Sequence, residues 1–296
     1  MMGNRSSVLL VHKPSGVTSF TSLGSIKRTV DPKVGHAGTL DKFAEGLMIV
    51  LTGSMTKLNQ VFSTMDKRYR ATIAFGTETD TLDPEGEVIA TADIPTIEQI
   101  QSAIPKFLGE IQQSPPQYSA LHIGGKRASK LAREGKVVVM EKRPVSVYSF
   151  KIISFVNNLL VADIHVSKGT YIRSLARDLA LECNSRGYLV ALVRTQIGPF
   201  LLEEAIDPAD TDALLASVDR TDTLIKNIGD MAMLEVDDEQ LFSLGNGKYP
   251  DSVRTIREPE SAQYGAVYST AGILLCVLDL VDKRIIAQIH REQVRS

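Results

Sequence analysis

Two side chains in a short glycine-rich stretch are the first candidates for chemistry. His36 and Asp41 belong to residues 35–41, which read GHAGTLD. The glycines and polar residues predict a loop that would hold a carboxylate beside an imidazole, a pairing suited to acid–base or nucleophilic chemistry. A loop aspartate is more often a helix cap or a turn residue. The chemistry of these residue types alone leaves both interpretations open.

Two tyrosines with basic neighbours are the next candidates. Tyr69 lies within the run KRYR, on an alternating segment that predicts a half-buried strand. It could stack on a nucleobase, or it could be an ordinary core tyrosine. Tyr171 and Arg173 lie in the first turn of a predicted helix, where surface positions are equally plausible. These residues indicate no more than a domain able to handle nucleic acid.

The densest positive charge lies at residues 126–136. The basic residues there are Lys126, Arg127, Lys130, Arg133 and Lys136. Such a run fits a solvated helix face, and it also fits contact with RNA phosphates. The formal net charge of the chain is −2, so any phosphate binding must depend on local patches.

Several classes of enzyme lack their motifs in this chain. Residues 35–38 are not followed by the GK[ST] ending of a phosphate loop, and they do not form a dinucleotide fingerprint. The five histidines form no HExxH pattern and no Cys/His cluster, and no GxSxG elbow occurs. Cys183 and Cys276 are far apart, which predicts reduced structural thiols. We therefore expect neither a metal nor a cofactor.

Length and composition predict an ordinary globular protein. The chain has 296 residues, 43% of them hydrophobic and 23% charged, enough for two domains or for one large domain with an appendage. No apolar run reaches about 18 residues, and the N-terminus lacks the order of a signal peptide. We expect a cytoplasmic monomer with no membrane partner.

Strands and helices follow one another without regular βαβ repetition, which favours an α+β fold with a mixed, largely antiparallel sheet. Strands are predicted at 8–11, 47–51, 69–76, 88–90, 145–155, 159–166 and 189–197. Helices are predicted from a Ser19 or Thr18 cap to about Val30, from a Thr96–Gln99 capping box, and from a Thr170 cap to about Cys183. In the first of these, Phe20, Leu23, Ile26 and Val30 share helical spacing. Short strands at 266–268, 273–277 and 285–287 predict a compact all-β appendage after about residue 230.

Several sequence blocks, in a fixed order, resemble the TruB-type tRNA pseudouridine synthases. They are KPSGVTS at 13–19, GHAGTLD and AEG within 35–46, KRYR at 67–70, GT and TDT within 76–81, SKGTYIRSL at 167–175, and LVRTQIGPF at 192–200. YSAL at 118–121, followed by GKR at 125–127, also fits. Because the blocks are independent and span about residues 8–202, their agreement carries the resemblance.

The resemblance implies an enzyme that isomerises uridine to pseudouridine at position 55 in the TΨC loop of tRNA. It implies that Asp41 is the catalytic carboxylate, and that Arg173 forms a buried ion pair with it. Substrate binding falls to five residues: His36, Tyr69, Tyr171, Arg173 and Leu192. The implied partner is the TΨC stem-loop of tRNA, with no guide RNA and no cofactor.

The resemblance also implies a domain organisation. Residues 1–230 would form the catalytic domain, with an RNA-gripping insertion at about 106–143. That insertion would offer Lys126, Arg127, Lys130 and Arg133 to the RNA backbone. Residues 231–296 resemble a PUA domain, an RNA-binding β-barrel.

Two departures from the family pattern keep alternatives open. Lys42 stands where the family has proline, and Val193 replaces the first arginine of the closing block. Lys42 could lower the pKa of Asp41, compete with Arg173, or point to solvent or RNA phosphate. One alternative function is a tRNA-binding folding factor with weak or lost isomerisation, which Lys42 motivates. Another is a guide-RNA-dependent relative of the dyskerin type, a group that typically lacks the insertion.

Overall fold

The computed structural model describes residues 5–119, 121–123, 126–127, 134 and 140–289. The chain folds into two compact units. The first unit consists of residues 1–41, 46–63 and 198–296, and the second consists of residues 42–45 and 64–197.

The described elements are mixed in type along the chain. The helices are α1 (Gly24–Thr29), α2 (Asn59–Ser63), α3 (Ile97–Ala103), α4 (Ile172–Glu182), α5 (Thr211–Val218), α6 (Thr221–Lys226) and α7 (Asp238–Gly245). The strands as far as residue 127 are β1 (Val8–Lys13), β2 (Val34–Ala37), β3 (Glu45–Thr52), β4 (Lys67–Phe75), β5 (Thr77–Thr79), β6 (Val88–Thr91), β7 (Gly109–Gln113), β8 (His122–Ile123) and β9 (Lys126–Arg127). The later strands are β10 (Arg143–Val156), β11 (Leu159–Val166), β12 (Gly187–Ile197), β13 (Phe200–Leu201), β14 (Met231–Val236), β15 (Arg254–Arg257), β16 (Tyr264–Ser269), β17 (Leu274–Asp279) and β18 (Arg284–Gln288).

In the first unit, β3 pairs antiparallel with both β1 and β2. Strand β3 reads EGLMIVLT and is almost fully buried, as expected for a strand covered on both faces. The prediction that 35–41 is entirely a loop is wrong, because Val34–Ala37 is strand β2. Glycine has a low strand propensity, so this segment forms a strand because its backbone pairs with β3.

The helix predicted from Ser19 begins with a 3-10 turn at Thr21–Leu23 and continues as α1. Leu23 and Ile26 lie in a buried cluster with residues of β1, β3 and α5, among them Leu9, Met48 and Leu214. Phe20 lies outside the core, since its side chain is 69% exposed. The 3-10 turn has three residues per turn, so the helical phase assumed from the sequence does not hold at this end.

The C-terminal sheet of the first unit has the strand order β15-β14-β16-β17-β18. Strands β14 and β16 are parallel, and the other neighbours are antiparallel. The short strands predicted at 266–268, 273–277 and 285–287 are therefore present, in a sheet whose first strand begins at Met231. The predicted barrel is not confirmed, because over residues 231–289 the edge strands β15 and β18 show no pairing with each other.

The second unit contains an antiparallel sheet of order β12-β4-β11-β10-β7. The predicted hairpin turn between β10 and β11 is confirmed, and Asn157 there has a φ of 58°. The capping box at Thr96 is also confirmed. Helix α4 approaches β12 closely, since a Cβ at Gly187 would lie 2.7 Å from Ala180 Cβ.

The two units together confirm the predicted α+β class with largely antiparallel sheets. Within the described residues, no helix is both long enough and apolar enough to cross a bilayer.

Candidate active site

Asp41 lies in the connection between β2 and β3 and is half-buried. The residue before it is fixed by Ser19, whose hydroxyl donates to Leu40 O and accepts from Leu40 N–H, both at 2.9 Å. The Leu40 side chain is 3% exposed, so it packs in the core. Both contacts hold the backbone just before the carboxylate.

His36 lies in strand β2, opposite Val50 of β3. Its carbonyl oxygen accepts a hydrogen bond from Asn59 Nδ2 at 2.8 Å. The side chain is half-buried. His36 and Asp41 thus both belong to the first unit, on the strand and on the loop that follows it.

Tyr69, Leu192 and Arg194 share one face of the β4–β12 pair. Tyr69 is opposite Arg194, and Ala71 is opposite Leu192; directly opposed residues of an antiparallel pair project to the same side. Tyr69 is half-buried, whereas Leu192 and Arg194 are buried. Two of the predicted substrate-binding residues, Tyr69 and Leu192, are therefore diagonal neighbours.

Lys67 lies two residues before Tyr69 on the same face of β4 and is buried. Its ammonium donates to Met65 O. Burial, and then the positive charge of Arg194, lower the pKa of Lys67 to about 8. This side of the sheet thus combines an aromatic ring with two buried cationic groups.

Tyr171 is the N-cap residue of α4 and has extended backbone angles. The buried Gln113 side chain accepts from Tyr171 N–H at 2.8 Å and donates to Tyr171 O at 3.1 Å. The predicted Thr170 cap is wrong, since the Thr170 hydroxyl donates to Ser167 O instead. The start of α4 is therefore set by an amide reaching across from β7.

Arg173 is 4% exposed and makes a salt bridge with Asp83, at 3.1 Å between Nη1 and Oδ2. Its guanidinium also donates to Thr81 O and to Tyr118 O, each at 2.9 Å. The family resemblance of the motifs implied an ion pair between Arg173 and Asp41, and it did not single out Asp83. Charged hydrogen bonds of this kind fix a guanidinium in one orientation.

The turn between β5 and β6 holds Asp83 in place. Thr79 Oγ1 donates to Asp83 O at 2.8 Å, while Thr81 Oγ1 and Glu85 N–H donate to Asp83 Oδ1 at 2.6 and 3.0 Å. The only signal in the sequence was the turn-forming run DPEG, which predicts local geometry and not a partner 90 residues away.

Comparison with known proteins identifies the family of the chain. Residues 26–172 match the N-terminal domain of TruB family pseudouridylate synthases. The tRNA pseudouridine synthase B of Borreliella afzelii (strain PKo) is 40% identical over 289 residues, covering 93% of this chain and 95% of the relative. The chain belongs to the TruB family. The protein of the same name from Borreliella burgdorferi (strain ZS7) is 49% identical over 201 residues, covering 67% of this chain and 71% of the relative.

Solved structures share the fold of this TruB family member. A chain of an archaeal box H/ACA sRNP gives a TM-score of 0.69 at 18% identity, covering 99% of this chain and 89% of that one. A chain of an H/ACA RNP bound to a substrate RNA containing 2′-deoxyuridine gives 0.67 at 18%, covering 98% and 87%. At this identity the similarity shows the fold alone.

In this TruB family member, Lys42 makes an exposed salt bridge. Its Nζ lies 2.6 Å from Glu85 Oε1, and the two side chains are 51% and 44% exposed. The side chain therefore extends toward solvent, as one of the alternatives for Lys42 supposed. Glu85 belongs to the same turn that holds Asp83.

The remaining predicted RNA contacts are partly described. Lys126 and Arg127 form β9, which pairs with β8, while Lys130 and Arg133 lie outside the described residues. Across the described part of the chain, no group of three or more His, Cys, Asp or Glu side chains is arranged to hold a metal ion.

Proposed function

We propose that this TruB family member is a tRNA pseudouridine synthase that isomerises uridine 55 in the TΨC loop. The observation that carries the proposal is its near full-length similarity to tRNA pseudouridine synthase B. The GHAGTLD and TYIR motifs, with Asp41 and Arg173, supply the residue types that the reaction needs. We also propose that it works in the cytoplasm as a monomer, without a cofactor.

The reaction breaks the C1′–N1 glycosidic bond, turns the uracil and rejoins it through C5, with no net oxidation or reduction. Asp41 would act as nucleophile or base, by attack at C1′, addition at C6 or removal of the C2′ proton. Arg173 would orient the carboxylate and keep it ionised. Asp83 holds Arg173 in a fixed orientation, which supports that role. A cation that is already oriented needs little reorganisation when the reaction occurs.

Four further side chains complete the proposed pocket. Tyr69 would stack on the uracil and help remove the C5 proton, with Tyr171 beside it and Leu192 as an apolar wall. The half-burial of Tyr69 next to the buried Leu192 supports this arrangement. Flipping the uridine out of its loop costs a few kcal/mol of stacking, and His36 would hold the opened RNA.

RNA outside the pocket would be bound through charge and shape. Lys126, Arg127, Lys130 and Arg133 would contact the RNA backbone. Residues 231–296 would act as a PUA-like domain that makes a limited contact with the acceptor end of the tRNA.

The test uses purified full-length protein and unmodified tRNA transcript, with no guide RNA. Because C5 loses its hydrogen when the new bond forms, release of tritium from 5-tritiated uridine measures turnover. We expect product from the wild type. We also expect it from the control Asp163→Asn, in which the same substitution is made at an exposed aspartate. Asp41→Asn should abolish product while retaining tRNA binding, and turnover by this variant would refute the role of Asp41.

The same assay separates the alternatives. A requirement for added guide RNA would favour a guide-dependent synthase. Tight tRNA binding without turnover by the wild type would favour a folding factor. Product at a position other than 55, mapped by sequencing, would refute the proposed target.

A further inference from the structure

Phe20 is an exposed aromatic ring on a rigid turn. Its side chain is 69% exposed, yet the backbone on both sides is hydrogen-bonded. Thr18 Oγ1 accepts from Thr21 N–H at 3.1 Å, and Thr18 O accepts from Ser22 N–H at 3.1 Å. The Ser22 hydroxyl donates to Ser19 O at 2.9 Å. The folded turn therefore holds the ring in solvent, so its exposure is not the result of a loose loop.

Positive charge accompanies the ring. Lys27 Nζ lies 4.3 Å from the centre of the Phe20 ring, a cation–π distance. Arg28 follows it in the last turn of α1. Proteins that bind unpaired nucleotides combine these elements, an aromatic face on which a base stacks and cations that meet the phosphates.

The ring lies close to the loop of Asp41 within the first unit. The double hydrogen bond of Ser19 to Leu40 joins the residue before Phe20 to the residue before Asp41. Consecutive Cα atoms are 3.8 Å apart, so the Cα atoms of Phe20 and Asp41 lie within about 15 Å. A nucleotide a few positions from the reacting uridine can span that distance.

We propose that Phe20, with Lys27 and Arg28, is a stacking site for an unpaired base of the substrate RNA near the target uridine. The proposal rests on the proposed function, and it assigns to this surface an RNA contact outside the reaction pocket. Stacking tolerates any base, because every base has a π-face. The site therefore contributes affinity and register, and not recognition of sequence.

The test measures the dissociation constant of an unmodified TΨC stem-loop for full-length variants carrying Asp41→Asn, so that the RNA is not consumed. Phe20→Leu and Phe20→Ala should weaken binding by about five- to hundredfold, the range for loss of one stacked base. Phe20→Trp should bind as tightly as the parent. Phe242→Ala, a 74% exposed phenylalanine on α7, is the matched control and should change nothing.

The cations have a separate readout. Lys27→Gln and Arg28→Gln should each reduce the slope of log Kd against log salt by about 1. The fluorescence of a stem-loop with 2-aminopurine at one unpaired position should change on binding to the parent protein, which retains Phe20, and not on binding to Phe20→Leu.

Two results overturn different statements. If the wild type converts the stem-loop but Phe20→Leu binds as tightly as the parent, the stacking site is refuted and the proposed function stands. If the wild type binds the stem-loop with a Phe20-dependent affinity but never converts it, the proposed function fails instead. Circular dichroism melting of Phe20→Leu should match the parent; a lower melting temperature with unchanged affinity would show that Phe20 serves the fold and overturn the proposal.

Discussion

Arg173 Nη1 lies 3.1 Å from Asp83 Oδ2, with both side chains at least nine-tenths buried. Removing two charges from water is costly, and their attraction offsets that cost only with good geometry and further hydrogen bonds. Here the guanidinium also donates to two backbone carbonyls, and the carboxylate accepts from Thr81 and Glu85. Asp83 therefore fixes the orientation of Arg173, the residue proposed to orient Asp41.

Asp83→Asn should destabilise the fold by about 3 kcal/mol, because it removes one partner of a buried, hydrogen-bonded ion pair. The free energy of unfolding in urea measures this. Asp163→Asn removes the partner of Arg70 in an exposed pair at 2.8 Å and should cost less than about 1 kcal/mol. Equal effects of the two substitutions would contradict the buried-pair account.

Lys42→Pro should leave the single-turnover rate within about tenfold, or 1.4 kcal/mol of barrier. Proline restricts the backbone at this position, and the Lys42–Glu85 contact that the substitution removes is an exposed one. Glu85→Gln should behave similarly, with Glu182→Gln as the control, because Glu182 makes a comparable exposed contact with Lys106. A hundredfold loss confined to Lys42 or Glu85 variants would show that the pair positions Asp41.

Lys67 should make stability depend on pH above about 8. In the unfolded chain its pKa is 10.5, and in the folded protein burial and Arg194 lower it to about 8. Between these values the unfolded state holds a proton that the folded state has released, so folding stability rises with pH. Relative to Lys67→Met, wild type should gain up to about 3 kcal/mol between pH 8 and 10.5 and nothing below pH 8. A difference that stays flat across this range would contradict the lowered pKa.

Gly187→Ala should destabilise the second unit by about 1–3 kcal/mol through overpacking. The added methyl would lie 2.7 Å from Ala180 Cβ and 3.2 Å from Ala74 O. The double variant with Ala180→Gly removes the nearer clash. Its free energy of unfolding should therefore be higher than the sum of the two single effects predicts, even though glycine in a helix is itself destabilising. Strictly additive unfolding energies would show that the two residues do not meet.

The strands were predictable because their signal is local. Alternation in β4 and β11, the apolar run of β3 and the turn at Asn157 each appear within a few residues of sequence. Strand β2 was missed because its glycines suit a loop, and only pairing with β3 makes it a strand. Phe20 was assigned a helical phase that the 3-10 turn does not continue.

The candidate site was predictable as residue types, and not as contacts. Asp41, Tyr69 and Arg173 were identified through motifs that resemble a family. Asp83 and Gln113 were missed, since each acts through one long-range hydrogen-bonded contact, with Arg173 and with Tyr171. Neither residue belongs to a periodic pattern, so nothing local distinguishes it from any other polar residue.

The contact between Gln113 and the backbone of Tyr171 has a consequence for how position 171 can evolve. Gln113 binds the main-chain N–H and C=O groups, which every residue except proline presents identically. These two hydrogen bonds at the start of α4 therefore do not depend on the identity of the side chain at position 171. Selection can alter the ring at 171 without having to rebuild the helix that carries Arg173.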